Sequence, residues 1–342
     1  MSKRYQGNII TSTPTDPAGP YEDSAASGVW SLAEAFAFNK EGLWPTAGNS
    51  ASRVYFFPSS SNNVISSVIT NSLGDATDFG DTTHNYQRTT AFSSSTRGLM
   101  AAGYDAASNN STTIEYITLA TAGNSADFGD TTVARNFPTS CANSTRGVMV
   151  GGNSAGAGFT PSNVMDYVTI ASIGNATDFG DSTVTRIGAA GCASTTRGVF
   201  SGGLQSGTSY RSTIDYITIA STSNASNFGN LTNARYSHAG CSNSTRGVFA
   251  GGWNSTTGNF NVIDYITIAS TGNATDFGDL TSAGQPQNGG AATNDRALFA
   301  GNSFGAAIQY ITITTTGNAA SFGNLLSSRA VSACSNAHGG LS

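Results

Sequence analysis

One block of about 50 residues recurs six times along this 342-residue chain, and the repeat constrains the fold more than any other feature. Its most regular motif is Asp-Phe-Gly, as in ATDFGD at 76–81 and SADFGD at 125–130. The spacings between its phenylalanines are 49, 51, 49, 49 and 45 residues. A fixed period of this length is typical of solenoids and propellers. The phenylalanines are Phe79, Phe128, Phe179, Phe228, Phe277 and Phe322.

In a protein kinase the word Asp-Phe-Gly holds magnesium, but a kinase also needs a strand lysine and a catalytic-loop aspartate. The only lysines are Lys3 and Lys40, and there is no His-Arg-Asp triplet. Two copies replace the aspartate, with Asn227 and Ser321, whereas the phenylalanine never changes. We therefore interpret the phenylalanine as a packing residue and the aspartate as a turn residue or a partner of repeated arginines. Calcium binding by the repeated aspartates is the alternative.

Each repeat reads as four short strands separated by Gly, Asn and Ser turns. In the fifth copy these are segments around RYSHAGCSN (235–243), GVFAGG (247–252), VIDYITIA (262–269) and ATDFGDL (274–280). Four-stranded units with a fixed period predict the blades of an all-β propeller. Inner-strand candidates occur seven times because 43–52 and 328–337 both qualify. We expect the C-terminal segment to complete the first blade of a six-bladed ring, with seven blades as the alternative.

Composition excludes several function classes. Charged residues make up 10% of the chain and the net charge is −5, so no basic surface for nucleic acid is expected. No run of 18 apolar residues is present, and the N-terminus lacks an apolar signal core. The four cysteines occupy equivalent places in separate repeats, which predicts buried free thiols rather than disulfides or a zinc site. They are Cys141, Cys192, Cys241 and Cys334.

Residues 1–45 share none of the repeat words, so we divide the chain into an N-terminal arm, 1–45, and a propeller, 46–342. The proline-rich stretch at 11–23 predicts extended chain. Ser31 and Glu34 fit a capping box and Gly42 a helix stop, which predicts a short helix near 32–40. Its anchoring apolar residues would be Trp30, Leu32, Phe36 and Trp44. A helix lying on its own propeller is the alternative to an attachment arm.

The repeat resembles the kelch repeat over about residues 46–342. The features that carry the resemblance are an apolar strand ending in a Gly-Gly doublet, a later tyrosine, and an aromatic about a dozen residues further on. An arginine seven residues after most of the phenylalanines also matches, although Phe stands where kelch repeats have Trp. The doublets are Gly151-Gly152, Gly202-Gly203 and Gly251-Gly252, and the arginines are Arg135, Arg186, Arg235 and Arg329.

The arm resembles a leader of virion structural proteins from marine tailed phages. The residues that carry this are GPYEDSAASGVWSLAEAFAFNKEGLWPTAG at 19–48. The resemblance implies a non-enzymatic virion protein, assembled in the host cytoplasm, whose arm docks on other virion proteins of a tail or capsid. Its propeller would face outward to contact a host-surface glycan or protein, and a homo-oligomer in the particle is left open. The alternatives are an intracellular kelch-type protein-binding scaffold and, ranked lower, a glycan-cleaving enzyme.

The loops after the glycine doublets differ in every repeat, whereas the other turns barely change. In a four-stranded blade these loops share one face with the connections between blades, so we expect contacts with a partner there. Aromatic side chains amid amides suit sugar stacking or a protein contact. The candidate binding residues are Tyr104, Phe159, Tyr210, Arg211, Trp253 and Phe304.

We expect no catalytic residue, cofactor or metal. The histidines His84, His238 and His338 have no evident orienting acid, and no Gly-x-Ser-x-Gly elbow occurs. The recurring acids are expected to be scaffold, paired to the arginines at the start of the second strands. These acids are Glu115, Asp166, Asp215 and Asp264, and the arginines are Arg97, Arg146, Arg197 and Arg246.

Overall fold

The computed structural model describes residues 4–6, 28–30, 52–60, 62–156 and 158–341. Residues 1–52 and 53–342 form two separate units. In the first unit, strand β1 (Arg4–Gln6) pairs antiparallel with β2 (Gly28–Trp30). Trp30 thus ends a strand, and the predicted helix near 32–40, with Leu32, Phe36 and Trp44, lies outside the described residues.

The second unit is a six-bladed all-β propeller, as predicted, and the seven-bladed alternative is wrong. Every blade is a sheet of four antiparallel strands, ordered from the inner to the outer strand. Blade 1 consists of β28 (Val331–Ser335), β3 (Arg53–Pro58), β4 (Val64–Ile69) and β5 (Thr77–Asp81). Blade 2 consists of β6 (Thr90–Ser93), β7 (Arg97–Ala101), β8 (Thr113–Thr118) and β9 (Ala126–Asp130). Blade 3 consists of β10 (Thr139–Ala142), β11 (Arg146–Val150), β12 (Val164–Thr169) and β13 (Thr177–Asp181).

Blade 4 consists of β14 (Ala190–Ala193), β15 (Arg197–Ser201), β16 (Thr213–Thr218) and β17 (Ser226–Asn230); blade 5 of β18 (Ala239–Ser242), β19 (Arg246–Ala250), β22 (Val262–Thr267) and β23 (Thr275–Asp279); blade 6 of β24 (Gly290–Ala292), β25 (Arg296–Ala300), β26 (Ala307–Thr312) and β27 (Ala320–Asn324). Blade 5 also carries a small hairpin, β20 (Trp253–Asn254) with β21 (Gly258–Asn259), and a 3₁₀ turn lies at Asn302–Phe304.

The ring closes by the predicted route, because the C-terminal strand β28 is the inner strand of blade 1. It pairs with β3 from Val331 opposite Pro58 to Ser335 opposite Val54, and all five of its residues are buried. The first blade is therefore built from both ends of the propeller sequence, which removes two open sheet edges.

The Asp-Phe-Gly motif forms a β-bulge in the outer strand of each blade. In blade 3 the register moves from Met165–Gly180 to Asp166–Asp178, so Phe179 is left without a partner on the neighbouring strand. The same shift occurs in all six blades. A bulge re-aims a side chain, and here the phenylalanine is buried against the tyrosine of the third strand. The ring centroids of Tyr167 and Phe179 are 5.9 Å apart in an edge-to-face arrangement.

The glycine of the Asp-Phe-Gly motif is required because the backbone of the next blade approaches it closely. A Cβ on Gly80 would lie 2.2 Å from the carbonyl oxygen of Gly123, which belongs to the turn between the third and outer strands of blade 2. The amide of Asp81 also donates to Asn124 Oδ1 in that turn, at 3.0 Å. Neighbouring blades are thus locked through repeated turn residues, which explains why these turns barely vary.

Packing between the inner strand of one blade and the second strand of the next is complementary in volume. The ring of Phe92 occupies the space beside Gly147 in the next blade, and the thiol of Cys141 occupies the space beside Gly198. At the closure between blades 6 and 1 the small residue lies on the inner strand and the larger residue on the second strand. Ala291 of the inner strand of blade 6 shares a core cluster with Val54 of the second strand of blade 1. The four cysteines are buried and free, as predicted. Burial raises the pKa of each thiol, with Cys141 and Cys334 at about 12.

Candidate functional site

The variable face of the propeller is formed by the loops between second and third strands together with the connections between blades. Backbone pairing holds the two kinds of segment together. In blade 2, Gln87 of the connection and Tyr104 of the loop form an antiparallel bridge, and Tyr104 also bridges Asn110. Three backbone positions per blade therefore make a common frame on this face.

The frame is filled by different side chains in each of four blades. Blade 2 has an aromatic between two amides, blade 3 has two amides and a proline, blade 4 has two aliphatics and a tyrosine, and blade 5 has two aromatics and an amide. The sets are Gln87, Tyr104 and Asn110; Asn136, Asn153 and Pro161; Ile187, Leu204 and Tyr210; and Tyr236, Trp253 and Asn259. Because the backbone pairing tolerates all of these, its stability does not demand aromatic side chains at any one of them.

Aromatic rings converge where blades 4 and 5 meet. Tyr210, Tyr236 and Trp253, which we name the aromatic triad, lie with ring centroids 5.7–5.9 Å apart. All three side chains are half-buried. Tyr236 and Trp253 exchange backbone hydrogen bonds of 3.1 and 2.9 Å, so their separation is set by the frame. Burial and the neighbouring phenol of Tyr210 raise the pKa of Tyr236.

The triad continues toward blade 2 through Phe137 and Arg88. The buried Phe137 ring lies 6.3 Å from that of Tyr236, and the Arg88 guanidinium lies 5.4 Å from the Phe137 ring and 5.7 Å from the Tyr104 ring. Arg88 is exposed, and within the described part of the chain it has no carboxylate partner. A cation resting on aromatic faces in this way is stabilised by about 0.5–1 kcal/mol at an exposed site.

The residues singled out from the sequence are distributed as follows. Tyr210 and Trp253 belong to the triad, Tyr104 lies beside Arg88, and Arg211 follows Tyr210 as a half-buried side chain. Phe159 is 46% exposed on the loop of blade 3 and does not belong to the triad. Phe304, predicted as a binding residue, is only 9% exposed and packs in the core between blades 5 and 6, so it does not contribute to a binding surface.

Sequence reasoning missed Phe137, Tyr236 and Arg88 because it compared only the loops after the glycine doublets. The connections between blades vary as well, and aligning the residues nine to ten positions before each second-strand arginine shows aromatic side chains in two of them. An alignment of the connections therefore identifies Phe137 and Tyr236 from the sequence.

A collar of left-handed residues surrounds the mouth of the central cavity on this face. Each donates its amide to the carbonyl of the preceding collar residue, at 2.7–3.3 Å, except that the first, Arg88, donates to the carbonyl of Ser59, which follows the second strand of blade 1. The collar residues are Arg88, Phe137, Gly188, Ser237 and Gln287, with φ of 48–60°. Arg88 and Phe137 are therefore held by the ring itself rather than by a free loop.

The central cavity measures about 60 Å³. Asn288 Nδ2 donates to the carbonyls of Thr89 and Pro138 on the collar side. On the other side the half-buried His338 lies with Nε2 2.8 Å from the Ser93 carbonyl, and the Gly339 amide donates to the Ser242 carbonyl. Such a cavity holds one or two waters rather than a substrate.

The recurring acids are scaffold, but the predicted arginine partners are wrong. Arg135, Arg186 and Arg235, from the connections, pair with Asp166, Asp215 and Asp264, and all six side chains are fully buried. Arg97 instead lies with its guanidinium 4.5 Å from the Tyr116 ring and donates to the Ile170 carbonyl of the next blade. The register explains this, because Arg97 is opposite Thr118, whereas Glu115 is opposite Met100.

In five of the six blades the residue of the connection and the residue of the third strand match in charge at this position. Where the connection has Gly284 in place of the arginine, the acid becomes the amide of Gln309. In blade 2 the connection has Tyr86 at the place of the arginine, and Glu115 instead meets His84, with Nδ1 and Oε1 2.7 Å apart. Blade 1 has Arg329 with Ser66. Burying an unpaired charge is costly, so the two sides have changed together.

The histidines do not build a catalytic triad among the described residues. His238 is fully buried with Nε2 2.9 Å from Ser201 Oγ, but its Nδ1 has no partner and no acid orients it. Burial, with Arg235 and Arg186 nearby, holds its pKa well below the usual value. Exposed His84 places Nδ1, not Nε2, against both Thr83 and Glu115.

Across residues 52–341, apart from Ser61 and Ala157, no group of three or more His, Cys, Asp or Glu side chains lies close enough to hold a metal ion. The same part of the chain contains no helix long and apolar enough to cross a membrane. No protein-family model matches the chain, and no curated protein is similar to it at a significant level.

Proposed function

We propose that this chain is a non-enzymatic structural protein of a phage virion, displayed on the tail or capsid, with the propeller as a recognition head. The observation that carries the recognition role is the frame on the variable face. Four blades keep the same backbone pairing there yet present unrelated side chains, and the aromatics gather at one blade boundary. A rigid scaffold that positions different loop residues is the usual arrangement of a binding protein.

The virion role rests on the arm. Its segment 19–48 is similar to leaders of phage structural proteins, and residues 1–52 form a unit distinct from the propeller. In this proposal the arm docks on other virion proteins, and the protein is assembled in the host cytoplasm. Several copies on one particle would convert weak single contacts into strong attachment through avidity.

A non-enzymatic role is supported by how the ionisable side chains are used. Three of the recurring acids, Asp166, Asp215 and Asp264, are neutralised by buried arginines. The buried Ser201–His238 pair is inaccessible to a substrate, since both residues have no exposed surface. These groups are committed to the fold and are not available for acid–base chemistry.

An intracellular kelch-type scaffold is the second candidate. Its support is the glycine doublet at the end of the second strand, where Gly151 and Gly152 have φ of 66° and 100°. A Cβ on Gly151 would lie 2.6 Å from the Arg186 carbonyl oxygen, so the doublet lets the connection approach closely. This candidate predicts a free protein without a particle.

The test is incorporation into particles. The full chain and a variant lacking residues 1–52 are expressed during phage growth, and purified particles are probed by immunoblot. We expect the full chain in particles, and the truncated chain to remain in the soluble fraction, folded by circular dichroism. Tyr104→Ala serves as a control that should still incorporate. Absence of the full chain from particles, or normal incorporation of the truncated chain, would overturn the proposal.

A further inference from the structure

We propose that the aromatic triad is a glycan-binding site that stacks a pyranose ring where blades 4 and 5 meet. The inference rests on the proposed recognition role and names its ligand class. The three rings belong to three segments, 202–212, 231–238 and 251–261, which meet only because the blades are adjacent.

The backbone frame does not require aromatic side chains at these positions. Asn136, Asn153 and Pro161 fill the same frame positions in blade 3 without any aromatic ring. Half-exposed aromatics expose apolar surface to water at a cost of about 25 cal/mol per Å², which a ligand would relieve. Aromatic rings with hydrogen-bonding edges suit the apolar faces and polar rims of sugars.

The polar surroundings match hydroxyl groups better than a protein surface. Within the described part of the chain, Gln205 Oε1 and Arg211 Nε on the loop that carries Tyr210 have no hydrogen-bond partner, so an acceptor and a donor are left over. Nearby, Gln285 Nε2 donates to Asn259 Oδ1 at the exposed rim. A sugar hydroxyl both donates and accepts, and rotation of these half-buried side chains would present both functions to it.

A protein partner fits less well because the face has little further apolar surface. Stable protein interfaces bury about 800 Å² on each partner around an apolar centre. Among the described residues, the exposed large apolar side chains all lie outside the triad loops, two of them in other segments of this face and two in turns of the opposite face. They are Leu73, Phe159, Ile173 and Leu326. The triad, with Phe137 beside it, is therefore a small aromatic site amid Ser, Thr and Asn.

Arg88 provides a way to tell acidic from neutral sugars. It lies exposed beside Phe137 and contributes to the electrostatics of the Tyr236 hydroxyl, and it has no carboxylate partner within the described residues. A carboxylated sugar stacked on the triad would gain from this charge, and that gain would fall with salt.

The test uses tryptophan fluorescence of the full chain. Trp30 and Trp44 are replaced by phenylalanine, which leaves Trp253 as the sole tryptophan. The protein is titrated with chitotetraose, laminarihexaose and hexamannuronate as N-acetylated, neutral and acidic probes. We expect a saturable change with at least one probe and a Kd of about 1 mM or tighter. Hexamannuronate binding that weakens with salt and with Arg88→Gln would identify the acidic class.

Matched variants locate the site. Tyr210→Ala should weaken binding about tenfold or more, because it removes one ring of the stack. Leu73→Ala removes an exposed apolar side chain from the turn between the third and outer strands of blade 1, on the opposite face, and it should leave the affinity unchanged. Absence of saturation with all three probes, or equal losses from both variants, would overturn the glycan site.

An adsorption assay with host cells distinguishes failure of the glycan-site proposal from failure of the proposed recognition role. Particles are mixed with cells treated with periodate, which destroys sugar rings, or with protease. Loss of adsorption after periodate and in the Tyr210→Ala, Trp253→Ala double variant supports the glycan site. Loss only after protease would overturn the glycan site and leave the recognition role standing, whereas adsorption unaffected by the double variant would remove the triad from attachment.

Discussion

Arg235 Nη2 lies 3.1 Å from Asp264 Oδ2, and neither side chain has any exposed surface. Arg235 comes from the connection that enters blade 5, and Asp264 from the third strand of that blade. The pair therefore ties the variable face to the sheet beneath it. Its guanidinium also donates to the Phe249 carbonyl, which joins it to the second strand.

Replacing Asp264 with alanine should lower the free energy of unfolding by about 3–5 kcal/mol, because it leaves a buried arginine without its counterion. Urea denaturation of the two proteins measures the difference. Asp276→Ala, which removes an exposed aspartate of the same blade, is the control and should change stability by less than about 0.5 kcal/mol. The double variant Arg235→Met, Asp264→Leu should recover much of the loss, and equal loss in the single and double variants would contradict the role of the buried charge.

Gly147→Ala should destabilise the propeller by about 1–3 kcal/mol through overpacking. The added Cβ would lie 2.0 Å from Cε2 of Phe92 in the preceding blade. Blade 6 already places Ala297 in a core cluster with Cys241, so an alanine is accommodated when the facing residue is small. The double variant Phe92→Cys, Gly147→Ala should therefore lose less than the two single losses added together, as thermal denaturation can measure. Simple additivity would argue against volume matching between blades.

Removal of the closing strand should abolish cooperative folding of the ring. A chain ending at Arg329 lacks β28, which leaves β3 and the inner side of blade 1 unpaired. We expect a broadened thermal transition and an earlier elution on size exclusion, since exposed strand edges promote association. A chain ending at Asn336 keeps β28 and loses only the segment beneath the cavity, so it should remain monomeric and cooperative. An unchanged melting curve for the shorter chain would exclude the closure as a source of stability.

Stability should fall as the pH is lowered below about 6.5 because of His238. Its folded-state pKa is held well below the usual value of 6.5 by burial and by Arg235 and Arg186. The unfolded chain therefore takes up a proton that the folded chain does not bind, and the contribution present above that pH is lost as the pH falls toward the folded pKa. The slope is up to about 1.4 kcal/mol per pH unit.

Urea denaturation at pH 7.5 and pH 5 tests this, with His238→Ala as the comparison. Ala189 stands at the equivalent place in blade 4, next to its own collar residue, so the substitution has a precedent within the fold. The variant should lose less stability between the two pH values than the parent, while the remaining loss reflects His338, whose pKa burial also lowers. Identical losses in both proteins would assign the pH dependence to other groups.

The repeat by itself determined the architecture of residues 53–341. Period, glycine doublets and strand alternation indicated four-stranded blades, and the surplus inner-strand segment indicated closure by the C-terminus, because repetition is a one-dimensional property that a sequence displays directly. The invariance of Phe179 and its copies likewise indicated packing, although not that each is the extra residue of a bulge.

Only the tertiary structure decided which side chains meet across repeats. The acids were assigned to Arg97 and its copies because both recur, but antiparallel register separates Arg97 from Glu115 by several residues along the strand pair. Tyr210, Tyr236 and Trp253 lie in segments that the repeat pattern treats as unrelated, and they converge because the packing of blade 4 against blade 5 brings two loops and one connection to the same corner. Contacts of this kind depend on strand register and blade rotation, which no local propensity encodes.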